Sequence, residues 1–296
     1  MKENKEKPLF RKISIEGLEP FARGGTGECY FLDEETLLKL YYDFIPAEYV
    51  MREKEGAKAA LIAGVPTAIS FEMVEAGGRK GLIYETLHAK TIAQCVKEDA
   101  SCIPELAAQY ADAAKQLHTA EPRSLDFQPA TAQIRRALPA VSEYAGPERM
   151  RRIEALLGEL DEYTSYVHGD FHPNNVLVMD GELFLIDMGD FSIGCPLFDL
   201  ATTYFSFFRS PEAVRSDLNA FTGMNRSQHR EFWDAFMAGY FGGPEKAAVP
   251  GPDSQLFSDV VLLKEMWFEG MFGKYCTDDY RKNIRERVTA RFAQDS

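Results

Sequence analysis

Along the first 85 residues the spacing of apolar and polar positions changes twice, and each change marks an element. From Ile13 to Tyr42 short apolar runs alternate with breaks. A Gly-rich interruption, Arg23-Gly24-Gly25-Thr26-Gly27, is followed by Glu28 to Leu32 and Thr36 to Tyr41, which reads as strand, loop, strand, turn, strand. From Ala47 to Ala63 the chain is rich in Ala, Glu and Lys and stops at Gly64 with Pro66 just beyond, so a helix is predicted there. Two further strands, Ala68 to Val74 and Gly81 to Glu85, flank the turn Ala76-Gly77-Gly78-Arg79. The predicted order is β-β-β-α-β-β.

Beyond Thr91 the helical period dominates, with helices expected over Pro104 to His118, Pro129 to Tyr144 and Pro147 to Leu160. In the last of these Ile153, Leu156, Leu157 and Leu160 fall on one face, which must be packed. Val176 to Met179 and Leu183 to Ile186, joined by Asp180-Gly181, carry the signal of a hairpin with a two-residue turn. From Phe198 on, aromatic-rich helices are predicted, with a Gly/Pro-rich interruption over Gly242 to Ser254 and no internal repeat.

With 296 residues, 45% of them apolar, the chain can bury a full core as one large or two modest domains. Its 33 Lys and Arg against 46 Asp and Glu give a net charge of −13, which repels polyanions and argues against nucleic-acid or anionic-membrane partners. The acidity suits a cationic substrate, and it equally serves simple solubility. The start, MKENKEKPLFRK, lacks the apolar core of a secretory signal or membrane anchor, and no apolar run approaches membrane-spanning length. Five scattered cysteines without a C-x-x-C pair argue against disulfides or a zinc site, so a cytoplasmic protein is expected.

The chemistry concentrates between Tyr166 and Leu200, in HGDFHPNNVLV, LIDMGD and GCPLFDLA. Asp170 is followed five residues later by Asn175, and the predicted hairpin returns the chain so that Asp187 can flank the same site. Phosphoryl transfer needs such parts: a base beside the acceptor hydroxyl, and oxygen ligands that hold magnesium against a triphosphate. Asp, Pro and Asn are also ordinary turn formers, so the motif pair alone would not decide the matter.

Together these segments resemble the aminoglycoside phosphotransferase and choline kinase family, distant relatives of the protein kinases. His168-Gly169-Asp170-Phe171-His172-Pro173-Asn174-Asn175 is similar to the kinase catalytic loop, Asp187-Met188-Gly189 to its D-F-G, and Pro196-Leu197-Phe198-Asp199-Leu200-Ala201 to the family's Pro-x-x-Asp-Leu-Ala run. Gly169 and His172 point to the small-molecule branch. The resemblance implies an α+β, two-lobed protein-kinase-like fold: a small antiparallel-sheet lobe with one helix over residues 1–87 that binds nucleotide, and a large, mostly helical lobe over residues 88–296 that carries catalysis and substrate binding. It further implies Asp170 as the catalytic base or hydroxyl-orienting group, Asn175 and Asp187 as Mg2+ ligands, and His168 and Asp199 as structural braces. For Asp190 three readings stay open: the metal shell, a cationic substrate, or solvent.

On the nucleotide side, Gly25, Thr26 and Gly27 occupy the position of the kinase phosphate loop, but the full G-x-G-x-x-G is missing and an ordinary hairpin turn fits as well. Lys39 stands inside the apolar strand Leu37-Leu38-Lys39-Leu40, where an unpaired ammonium is costly. Alternation also permits a surface lysine there; the resemblance implies instead the lysine that touches the α- and β-phosphates. A helix carboxylate should orient it, with Glu53 the first choice and Glu48 and Glu55 the alternatives. Ile83 to Leu87 should form the hinge, with the Glu85 carbonyl and Leu87 amide meeting the base, a backbone contact that leaves ATP and GTP undistinguished. Leu177 to Ile186 and Val65 are expected as apolar walls.

The acceptor pocket is expected between residues 125–160 and the C-terminal helices. Phe205, Phe207, Phe208, Trp233, Tyr240, Trp267, Phe268 and Glu269 are candidate lining for a cationic amine, with Glu265 and Glu269 on one helix face. Aromatics at helical spacing more often form core. The expected activity is that of a small-molecule kinase moving the γ-phosphoryl of ATP (or GTP) to a hydroxyl of a small acceptor, cationic or not, with an aminoglycoside, a choline-like amino alcohol, homoserine, a sugar and a nucleoside all left open. A protein Ser/Thr kinase, disfavoured by His172 and the missing A-P-E, and a nucleotide-binding pseudokinase or scaffold are the competing readings.

Overall fold

In the computed structural model, residues 9–122, 127–213, 222–242 and 249–293 are described. The predicted charged start and part of the 242–254 interruption lie outside them. The first lobe is a six-stranded sheet made of β1 (Arg11–Lys12), β2 (Ala22–Arg23), β3 (Gly27–Phe31), β4 (Thr36–Tyr41), β5 (Ser70–Ala76) and β6 (Arg79–Glu85), with α1 (Ala47–Ile62) packed on it. The spatial order is β1-β5-β6-β4-β3-β2. Every pairing is antiparallel except that of β1 with β5. The first strand thus falls slightly before the predicted Ile13 and runs along the sheet's far edge.

Alternation along β4 divides the lobe's interior in two. Leu38 and Leu40, without exposed surface, join Tyr30, Val74 and Ile83 on one face. Lys39 and Tyr41 point to the other, where Tyr41 packs with Val50 of α1 and with Leu82 and Tyr84 of β6. Period two therefore aims the one lysine of the strand at the helix and not at solvent.

The second lobe begins with β7 (Lys90–Thr91), α2 (Ile92–Glu98) and α3 (Ile103–Thr119). It continues through α4 (Thr131–Asp161), β8 (Ser165–Val167), β9 (Val176–Met179), β10 (Glu182–Leu185) and β11 (Ser192–Gly194). It ends with α5 (Leu197–Tyr204), α6 (Ser210–Ala213), α7 (Arg226–Phe241), α8 (Gln255–Phe272) and α9 (Asp278–Arg291). The two helices predicted on either side of Gly146 are the halves of α4, which breaks at Gly146 (φ 77°, ψ 165°), just before Pro147. The β9–β10 hairpin turns at Asp180 (φ 51°) and Gly181 (φ 81°), both left-handed as its two-residue turn requires.

A single large apolar cluster fills this lobe; of the aromatic residues expected in the acceptor pocket, Phe207, Trp233 and Tyr240 belong to it and Phe208, Trp267 and Phe268 pack against it. Phe207 is 2% exposed, Trp233 and Tyr240 5% each, and Phe205 6%. Val65, expected as a cleft wall, is also buried in this core. All five cysteines are free thiols. Among the described residues no helix is long and apolar enough to cross a membrane.

Buried His229 of α7 gives the lobe an acid sensitivity. It stacks on Phe207 with ring centroids 4.7 Å apart, and its Nε2 lies 2.7 Å from the Thr222 hydroxyl. Burial pushes its pKa down to about 4 from 6.5. A base depressed on folding stabilises fully above its unfolded pKa and loses that stabilisation as pH falls through the folded value, here about 3 kcal/mol between pH 6.5 and 4. In urea unfolding at pH 7 and pH 4.5, His229→Phe should narrow the stability difference between the two pH values by about 2 kcal/mol. An unchanged difference would remove His229 as its source.

Candidate active site

Three segments far apart in sequence converge on one ammonium. Lys39 Nζ lies 2.9 Å from both carboxylate oxygens of Glu53 on α1 and 2.8 Å from Oδ1 of Asp187, just after β10. Of the three α1 glutamates considered, Glu53 is the one that meets Lys39. It is 2% exposed and also accepts the Tyr84 hydroxyl at 2.8 Å. Burial works to lower the Lys39 pKa, but Asp187 and Glu53 outweigh it, and the net shift is upward, so the ammonium stays charged.

Asp187 reaches Lys39 because its backbone is left-handed (φ 62°, ψ 56°). Such a conformation at a non-glycine residue costs of order 1–3 kcal/mol and is held only by its surroundings. Helix α1 supplies part of that support. The ring of Tyr49 fills the space that a side chain at Gly189 would need, with a Cβ there falling 2.2 Å from the ring, and Gly56 lets α1 close on Phe191 and Met188. One helix thus orients Lys39 through Glu53 and props the Asp187 loop through Tyr49.

The segment that leads from β8 to Asn175 is held from beneath by Asp199 of α5, which has no exposed surface. Its Oδ2 accepts the backbone N–H of His168 at 2.8 Å and His118 Nε2 at 3.0 Å, and its Oδ1 accepts the N–H of Gly169 at 2.8 Å. Tyr240 meets the other ring nitrogen of His118 at 2.8 Å. His168 Nδ1 accepts the Asp170 N–H at 3.2 Å, which makes Nε2 the donor to the Ile186 carbonyl at 3.0 Å. Gly169 is obligatory twice over: φ is +85°, and a Cβ would come 2.3 Å from the Asp190 carbonyl.

Asp170 projects from this braced loop with 40% of its side chain exposed. Asn175 Nδ2 donates to its Oδ2 at 3.0 Å and to its carbonyl at 3.0 Å, and His172 Nε2 lies 3.3 Å from Oδ2. Burial acts to raise the Asp170 pKa, but His172, Lys264 and His168 prevail and hold it below the usual carboxylate range. Asp190, three residues past Asp187, goes the other way: burial, then the like charge of Asp170, raises it to about 6.

A cleft of about 1170 Å³ opens between the lobes, lined by Lys39, Glu53, Glu85, Leu87 and Asp187, with Leu177 and Ile186 in its wall. Gly25, Thr26 and Gly27 do not line it. Gly25 and Thr26 lie in the tight turn between β2 and β3, which Gly27 begins, and Gly24 N–H donates to the Gly27 carbonyl at 2.9 Å. The hinge is fastened by Thr86 N–H to the Glu35 carbonyl at 2.8 Å. Several features escaped the sequence reading: Tyr84 on Glu53, Tyr49 on Gly189, the His118–Tyr240 pair behind Asp199, and a stacked pair, Phe21 and Phe31, 4.0 Å apart at the cleft wall. The carboxylates suggested for a cationic acceptor are engaged elsewhere. Glu265 meets Arg209 and Arg287, and Glu269 meets Arg281 and Arg285.

The donor set suits magnesium. Because the Asn175 amide nitrogen is turned to Asp170, its Oδ1 is free to serve as a ligand, and Asp187 keeps a carboxylate oxygen beyond the one on Lys39. Among the described residues no group of three His, Cys, Asp or Glu forms a metal cage. Two hard oxygen ligands completed by phosphates and water are what Mg2+ uses in nucleotide sites.

Comparisons with known proteins bear on the fold and the family. A crystal structure of a choline/ethanolamine kinase family protein from Mesorhizobium loti superposes with a TM-score of 0.56 at 18% identity, covering 94% of this chain and 88% of that one. Amicoumacin kinase hAmiN, in complex with AMP-PNP, Ca2+ and Ami, gives 0.62 at 16% identity, covering 96% and 91%. An aminoglycoside-3'-phosphotransferase of type VIII gives 0.57 at 19%, covering 85% and 94%. No curated protein sequence matches. At these identities the likeness carries the two-lobed kinase-like fold. The family model for the phosphotransferase enzyme family, however, matches residues 17–236, from before the Gly-rich turn to past the Asp199 brace, and on that ground the chain belongs to the phosphotransferase enzyme family.

Proposed function

We propose that the protein is a small-molecule kinase that transfers the γ-phosphoryl group of ATP, as its magnesium complex, to a hydroxyl of a small acceptor. The observation that carries this reading is the bridge from Lys39 to both Glu53 and Asp187 inside the interlobe cleft, with a half-buried, ionised Asp170 on the segment that leads through the β9–β10 hairpin to Asp187. Lys39 would meet the α- and β-phosphates, and Asn175 and Asp187 would hold Mg2+, which neutralises charge on the β- and γ-phosphates when bound. The Glu85 carbonyl and Leu87 amide would receive the base.

The acceptor oxygen attacks the γ-phosphorus, the bond to the β–γ bridging oxygen breaks, and ADP leaves. Asp170 orients the hydroxyl and takes its proton. Its low pKa makes it a weak base, which suits a loose transition state in which the hydroxyl loses its proton late. Related structures support an ATP donor and a small acceptor, since the amicoumacin kinase is in complex with AMP-PNP and Ami and an aminoglycoside phosphotransferase forms a ternary complex with streptomycin and ATP. The soluble character of such a kinase agrees with a cytoplasmic location.

The test is acceptor-dependent ADP release in the presence of Mg2+, with EDTA and Asp170→Asn as controls; nucleotide binding without turnover on any acceptor would favour a pseudokinase instead. Glu53→Gln provides a second measurement. It preserves size but leaves Lys39 with Asp187 as its only anionic partner, so kcat/KM for ATP should fall about tenfold. An unchanged value would mean that Lys39 does not depend on α1.

A further inference from the structure

Helix α8 carries one lysine whose charge the site described above leaves unused. Lys264 is 5% exposed, yet among the described residues it makes no ion pair and donates no hydrogen bond. Its ammonium stands 4.4 Å from the centroid of the Trp267 ring, one turn further along the same helix face. A buried ammonium that donates no hydrogen bond is costly. Helix α8 packs on α4 and α5, and this packing keeps Lys264 within electrostatic reach of Asp170, Asp190 and Asp199.

None of the three carboxylates is its dedicated partner. Asp199 is saturated by His118 and two backbone N–H groups, Asp170 is bonded to Asn175, with His172 beside it, and Gln133 lies against Asp190. The neighbouring acids of α8 show that the helix otherwise pairs its charges: Asp259 meets Arg291, Glu265 meets Arg287, and Glu269 meets Arg285. The charge that α8 presents toward Asp170 is thus a cation, the reverse of what a polyamine acceptor needs.

Resting on the reading that Asp170 faces the acceptor hydroxyl, we propose that Lys264 binds a carboxylate of the acceptor, so that the natural substrate is a small hydroxy acid or hydroxy amino acid and not a purely cationic alcohol. A carboxylate fits better than a phosphate. The site already holds Asp170 and Asp190 and must admit a γ-phosphoryl group, and a second dianion would add repulsion that one lysine does not offset.

The experiment compares acceptor pairs that share a hydroxyl and differ in the anion: serine with serinamide, 4-hydroxybutyrate with 1,4-butanediol, with ethanolamine, choline and kanamycin as cationic controls. Turnover of Mg-ATP is measured for the full chain, Lys264→Met and Lys264→Arg, and binding of each acceptor to the Mg-AMP-PNP complex is measured by calorimetry. Wild type should favour the carboxylate member by about 10- to 100-fold in kcat/KM, Lys264→Met should bring that ratio near one without changing KM for ATP, and Lys264→Arg should retain most of it. A merely structural lysine would lower both members of a pair in proportion, and that result overturns the proposal. So does equal use of the members that lack the carboxylate, or turnover of the cationic controls alone. If Mg-AMP-PNP binds but no carboxylate acceptor does, the assignment of Lys264 is lost while the phosphotransferase reading stands; if Mg-AMP-PNP does not bind, that reading fails first and takes this one with it.

Discussion

Asp170→Asn should lower kcat by about 10²- to 10⁴-fold while leaving the affinity for Mg-ATP within about twofold of wild type. Asparagine keeps the size and one oxygen acceptor, so the contact with Asn175 Nδ2, now 3.0 Å to Oδ2, can persist and the loop needs no rearrangement. The negative charge is lost, and with it both the orientation of the hydroxyl proton and its destination. Nucleotide contacts should be spared, because the cleft is lined by Lys39, Glu53 and Asp187 and not by Asp170. The substitution should also relieve Asp190, whose elevated pKa owes part of its rise to the charge of Asp170. Single-turnover kinetics with a productive acceptor separates the two effects. Turnover above a tenth of wild type would show that proton acceptance lies elsewhere.

The parts of this site that were legible in the sequence are those where a residue's chemistry conflicts with its surroundings or is fixed by spacing. Lys39 inside Leu37-Leu38-Lys39-Leu40 declares a need for a partner, and strand alternation supplies the direction in which to look, toward the α1 face that carries Glu53. The Asp180-Gly181 turn fixes the register of β9 on β10, and with it the nearness of Asn175 and Asp187. Lys264 carries a signal of the same kind, a lysine directly after Val260-Val261-Leu262-Leu263, but a helix can turn such a residue to solvent. Only the packing of α8 on α4 and α5 reveals that it does not.

Long-range complementarity was not legible. Nothing in the spacing of Tyr49 announces that its ring will occupy the place of a side chain at Gly189, nor that His118 will stand behind Asp199 from 81 positions away. The same limit misdirected the reading of α8. Glu265 and Glu269 do share a helix face, as their i, i+4 spacing requires, but arginines of α9 arrive from later in the chain and engage both. The Gly-rich segment was legible as a break between strands: Gly25 and Thr26 carry the chain from β2 into β3, which Gly27 begins.

Asp199→Ala should destabilise the protein by about 3–5 kcal/mol, which at this chain length lowers Tm by roughly 5–8 °C. Three donors converge on this carboxylate in a place without solvent, and none can find another acceptor once it is gone. Asparagine should rescue little of the loss. With N–H groups arriving at both Oδ1 and Oδ2, either orientation of the amide turns its NH2 toward a donor, so one hydrogen bond is replaced by a repulsive contact. The two substitutions in the catalytic segment should therefore separate cleanly. Asp170→Asn removes turnover at near-wild-type Tm, whereas Asp199→Asn lowers Tm and, in the folded fraction, lowers kcat because Gly169 and His168 no longer hold Asp170 in register. Thermal melts in parallel with kinetics below the transition decide the point. A wild-type melting temperature for Asp199→Asn would mean that the loop is braced by Thr203 on the Phe171 carbonyl, and by Phe171 stacked 4.1 Å from Tyr110, more than by the buried carboxylate.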